Sequence, residues 1–107
     1  MNKKELLHTV INLAEEKKKL HINDPIINEY WDKFTKLLST DLEDTKYVLE
    51  HVGEENLYHI SEVFEDISYI FQSKEFILFL EQLSKKYPQL DLTTDIRWAK
   101  EALDEKM

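Results

Sequence analysis

Residues 73–88 read SKEFILFLEQLSKKYP, and the assignment of this stretch decides the fold. From Phe76 to Leu80 the chain runs Phe-Ile-Leu-Phe-Leu with no polar break, a pattern that a buried strand and a buried helix share. Leu83 follows at helical spacing and no hairpin turn stands on either side. Ser73 can cap a helix start, and Pro88 stops one. The stretch therefore predicts a central helix, buried nearly all round.

The same reasoning extends outward in both directions. Leu6, Leu7, Val10, Ile11, Leu13, Ala14 and Leu20 recur at three- and four-residue steps, predicting an amphipathic first helix from about Lys3 to Leu20. Asp24 before Pro25 signals the start of a second, whose apolar side is Ile27, Tyr30, Trp31, Phe34, Leu37 and Leu38. Thr40 with Glu43 matches a capping box for a third helix, which Gly53 can close in a left-handed conformation. A fourth is expected to run unbroken from Glu54 to Phe71, with Leu57, Ile60, Val63, Phe64, Ile67, Ile70 and Phe71 on one side. After Pro88, Leu90 and Leu92 form a short connection, and Thr93 caps a final helix that turns Ile96, Ala99 and Leu103 inward. The expectation is an all-α, single-domain irregular bundle of about six helices spanning residues 1–107.

Composition agrees. A chain of 107 residues has room for one ordinary domain. One Gly and two Pro are too few for the many tight turns of a sandwich or barrel. With no Cys, disulfides, thiolate nucleophiles and Cys-based metal sites are excluded. No apolar run reaches the length of a membrane span, and the N-terminal stretch, broken by His8, Thr9 and Asn12, does not read as a signal peptide. A cytoplasmic location and no membrane partner are expected.

Catalytic and cofactor chemistry find little support. A single Gly cannot build a phosphate-cradling loop, so no cofactor is expected. Ser61 and Ser68 lie near acids without a nucleophile elbow, and no catalytic residue is assigned. Glu55, His59 and Glu62 share one helix face and could in principle hold a divalent ion; without a visible second shell they read as a polar stripe, and no metal is expected.

Charge is more informative. The net charge is −8, a field that repels nucleic acid and attracts basic proteins. Residues 54–72 carry five acids and no Lys or Arg. At about 100° per residue, the fourth helix turns Glu55, Tyr58, His59, Glu62, Glu65, Asp66 and Tyr69 outward. The third presents Glu43, Tyr47, Glu50 and His51, with Glu54 just beyond its end. Acids interleaved with Tyr suit the capture of Lys and Arg by ion pairing and cation–π contact. The candidate partner-binding residues are therefore Glu43, Tyr47, Glu50, Glu54, Glu55, Tyr58, Glu62, Glu65, Asp66 and Tyr69, read as one stripe across two helices. The alternative is that the tyrosines pack over neighbouring helices and the acids keep the protein soluble. Trp31 is placed in the core. Trp98 lies opposite Ile96, Ala99 and Leu103; it is taken to pack on the Leu90–Leu92 connection, with exposure as a contact residue the alternative.

The run from Leu57 to Tyr69, with Ile60, Ser61, Phe64, Glu65, Asp66, Ile67 and Ser68, then Phe76 and Leu80, then Lys86-Tyr87-Pro88, then Leu92, Asp95, Ile96 and Ala99, resembles small helical immunity proteins of contact-dependent growth inhibition and related polymorphic toxin systems. It covers roughly the C-terminal half. The resemblance implies a cytosolic inhibitor that binds the C-terminal toxin domain of a cognate effector, commonly a nuclease with a basic substrate surface, in a stoichiometric complex. It carries over no contact residue. A homo-oligomeric helical adaptor is the alternative, opposed by like charge on the outward stripe.

Overall fold

A computed structural model describes residues 1–21 and 23–104. Side-chain capping sets three of the helix starts among the described residues. Asn2 opens α1 (Lys3–Lys18): its Oδ1 accepts from the Glu5 amide at 2.9 Å while its Nδ2 donates to the Glu5 carboxylate at 2.8 Å. Asp24 accepts from the Ile26 amide at 3.0 Å, holding a turn, and α2 (Ile27–Leu38) starts two residues after Pro25. The cap of α3 (Leu42–His51) is Asp41, whose carboxylate accepts from the Asp44 amide; the expected Thr40–Glu43 box does not form this cap. Ser73 caps α6 (Lys74–Lys86) as the sequence predicts, accepting from the Phe76 amide at 3.3 Å. In α7 (Thr93–Asp104), Thr93 is the first helical residue and not the residue before it.

The expected fourth helix is broken. It comprises α4 (Glu54–Ile60), a 3₁₀ turn at Ser61–Val63, and α5 (Phe64–Phe71). A 3₁₀ turn winds tighter than an α-helix, so a constant angle per residue does not carry from Tyr58 to Tyr69. Gly53 joins α3 to α4 with φ 92° and ψ 155°. The left-handed closure expected here does not form: φ is positive, but with this extended ψ the residue is a corner, a conformation open to glycine alone at low cost.

Among the described residues there is no strand, and the fold is an all-α bundle. Its Cα radius of gyration, 13.0 Å, is that of one folded unit of this length. One layer centres on α1, which packs against α2, α3 and α4; the other centres on α7, packed against α5 and α6. Phe34, Phe64, Ile67, Phe76 and Leu80 fill the core between them, fully buried. The central helix is not buried all round: Phe76, Ile77, Phe79, Leu80 and Leu83 turn inward, but Leu78 is 61% exposed. Five successive apolar residues cover more than a full turn, so one must face away from any single core.

Helices α5 and α7 meet along a seam of small residues. The Ser68 hydroxyl donates to the Ala99 carbonyl at 2.6 Å, and the Gln72 amide to the Ala102 carbonyl at 3.0 Å. These pairs advance in the same direction along both helices, which therefore run side by side in parallel. Ser68, Ala99 and Ala102 are all buried, and their small volume permits the close approach. The buried polar groups Thr45 and Asn56 also bond backbone carbonyls, of Leu38 and Val52.

Candidate functional site

The acidic and aromatic residues singled out in the sequence divide into two patches. The first lies on α3. Tyr47 is half-buried against the core, with its ring centroid 4.3 Å from that of His51 and the Lys3 ammonium 4.7 Å above it. Glu43 pairs with Lys46 at 3.5 Å, and Lys46 also bonds Glu75 of α6. Glu54 accepts from the Gln89 amide, while Glu50 is exposed.

The second patch lies on α4 and α5. Tyr58 and Tyr69 are 54% and 44% exposed, and Glu55, Glu65 and Asp66 face solvent between and beside them. Tyr47 meets Lys3 at the start of α1, whereas Glu62 and His59 meet Lys17 near its end. At 1.5 Å rise per residue those points on α1 are about 21 Å apart. The single stripe expected across two helices is thus resolved into two separate surfaces.

Beside Tyr58 of the second patch sits a polar node that sequence reasoning missed. Lys17 is only 7% exposed, yet it carries an ammonium. It donates to Glu62 Oε1 at 2.9 Å and contacts His59 Nδ1 at 3.2 Å. The indole N–H of Trp31 donates to the other Glu62 oxygen, Oε2, at 2.6 Å. Glu62, expected as an outward rim charge, is tied inward on both oxygens. Trp31, expected as core, is half-buried with its polar edge on that carboxylate. Burial, followed by the neighbouring Lys17 charge, holds the His59 pKa below its ordinary value, so the neutral ring serves as an acceptor for Lys17. The cluster considered for a divalent ion is therefore matched to lysines: Lys17 bonds Glu62 and His59, and Lys18 pairs with Glu55 at 3.4 Å. Among the described residues no group of three metal-ligating side chains converges. A sequence signal for the node did exist, since Lys17 follows Leu6, Val10 and Ala14 on the buried stripe of α1 at helical steps.

Neighbouring acids act on one another at the 3₁₀ turn. Asp95 of α7 is half-buried, and its carboxyl pKa is raised by burial and by the nearby Glu62 and Asp91 carboxylates, while the polar Ser61 hydroxyl beside it works in the opposite direction. Ser61 and Ser68 are both buried and both donate to carbonyls, of Tyr58 and Ala99, which explains their presence without nucleophilic chemistry.

Trp98 is 45% exposed; Ile96, Ala99 and Ala102 are buried, and Leu103 is partly buried against the core. Trp98 stands one turn beyond Asp95 and one turn before Ala102. Asp95 lies near Ser61, and the Ala102 carbonyl accepts from Gln72, so Trp98 stands level with the middle of α5. Trp98 adds an exposed ring on α7 to the exposed tyrosines of α4 and α5. No described helix is long and apolar enough to cross a membrane. No protein-family model, curated protein or solved structure matches the chain.

Proposed function

We propose that the chain is an immunity-type inhibitor that neutralises a basic toxin domain, of nuclease type, by stoichiometric binding through the surface formed by Tyr58, Glu65, Asp66, Tyr69 and Trp98. The observation that carries this reading is the exposure of three large aromatic side chains, one each on α4, α5 and α7, in a chain whose α5 also exposes two carboxylates. Aromatic rings at the centre of a patch supply most of the binding energy in protein interfaces, and surrounding charges steer the encounter. A negative field suits a partner whose own ligand is a phosphate backbone, because the acids compete for the same Lys and Arg side chains. The reading needs no catalytic residue, metal or cofactor on this chain, and it places the inhibitor with its target in the cytoplasm. The α3 patch is left out of the contact surface, since Tyr47 packs on the core and Glu43 pairs within the fold.

The test is a titration of the chain against the toxin domain encoded beside it, paired with a growth-protection assay. Tyr58→Ala and Trp98→Ala are each expected to weaken binding by about 2 kcal/mol through faster dissociation. Asp66→Lys is expected to slow association, most strongly at low salt. Parent-like binding and protection by all three would overturn the assignment of this surface. A chain that self-associates and ignores the domain would favour the oligomeric adaptor.

A further inference from the structure

On another face of the molecule, α6 and α7 diverge around a groove of about 460 Å³, within the range of small-molecule sites. Its charge opposes that of the chain as a whole. Lys85, Arg97 and Lys100 line it against a single acid, Glu81, in a protein whose net charge is −8 and whose one arginine is Arg97. Glu81 is already engaged, 3.0 Å from Lys100. Among the described residues neither Arg97 nor Lys85 has an ion-pair or hydrogen-bond partner, so two cations face the groove unneutralised. The hydroxyls of Ser84 and Thr93 add donors on opposite walls, and the buried side chain of Ile96 with the aliphatic stems of the basic residues gives an apolar lining.

A planar guanidinium beside an ammonium matches the oxygens of a phosphate or carboxylate. The volume and apolar lining exceed what an inorganic ion would fill. We infer that the α6–α7 groove is a binding site for a small organic anion, whose phosphate or carboxylate is held by Arg97 and Lys85 and whose apolar body lies against Ile96. The site is separate from the acidic–aromatic surface and does not depend on the function proposed for it.

The test is an amide chemical-shift titration of the full chain with hexyl phosphate and, in parallel, hexanoate. Inorganic phosphate supplies the head group alone and 1-hexanol the tail alone. At least one of the two organic anions is expected to give saturable shifts along residues 81–100, about tenfold tighter than either control. The tighter of the two identifies the head group. Arg97→Ala, at an exposed position, is expected to melt like the parent and to bind about tenfold more weakly. Lys85→Ala gives an independent reading, with a smaller loss. The inference fails if neither anion saturates by about 10 mM, if hexanol binds as tightly as the anions, or if both variants bind like the parent.

Discussion

Lys17 and Glu62 stand 45 residues apart in sequence and 2.9 Å apart in space, and their pairing turns an apparent surface acid into a structural one. The lysine is buried, and that carboxylate is its ion-pair partner. The glutamate also takes the Trp31 indole, joining α1, α2 and the 3₁₀ turn at one point.

Glu62→Lys should therefore damage the fold. It sets a second ammonium beside Lys17 and orphans the indole N–H. Breaking a fully buried pair costs about 3–5 kcal/mol; the Glu62 side chain is 36% exposed, so a loss of about 2 kcal/mol is expected. Glu62→Gln keeps an acceptor oxygen and should cost about 1 kcal/mol. Denaturant unfolding of both variants checks the order, and a Glu62→Lys protein as stable as the parent would show the node to be dispensable.

His59 makes the node sensitive to acid. Its folded pKa lies below the ordinary 6.5, because burial and Lys17 disfavour the imidazolium. Below that ordinary value the unfolded chain takes up the proton first, so stability is present above it and is lost as pH falls through the folded value. The melting temperature should drop over this window, and His59→Asn, which keeps an acceptor for Lys17 without titrating, should drop less. Superimposable pH profiles for parent and variant would refute the assignment.

Asp95 carries the opposite sign. Its raised pKa means that the folded state disfavours the carboxylate, so its contribution is most favourable below the ordinary 3.8 and is lost as pH rises through the folded value. Asp95→Asn should raise the melting temperature at pH 7, with the advantage shrinking in acid. A variant less stable than the parent at pH 7 would mean that the Ser61 hydroxyl outweighs burial.

Within the central helix, neighbours in sequence should respond very differently. Phe76 is fully buried, with its ring centroid 5.8 Å from that of Phe71; Phe76→Ala is expected to cost about 3–5 kcal/mol. Leu78→Ala, at an exposed position, should change stability by within about 0.5 kcal/mol. Equal losses at the two sites, measured by unfolding, would place Leu78 in the core.

Local signals in the chain determined the helical class and the presence of a core, but not the 3₁₀ break at Ser61–Val63. Ser73, Gly53 and Pro88 act on the backbone next to them, and the three- and four-residue spacing of apolar side chains needs no knowledge of neighbouring helices. Helical periodicity assigns a side chain a direction around its own axis; it does not say which helix waits there. Tertiary docking alone decided that Leu78 faces out and Trp98 is left part-exposed, and that Tyr47 and His59 meet opposite ends of α1. It also brought Lys17, Trp31 and Glu62 together and left Arg97 and Lys85 unpaired across one groove. Each outcome depends on groups far apart in the chain whose approach is set by how whole helices pack, and a charge's role as solvent-facing or structural follows from that packing.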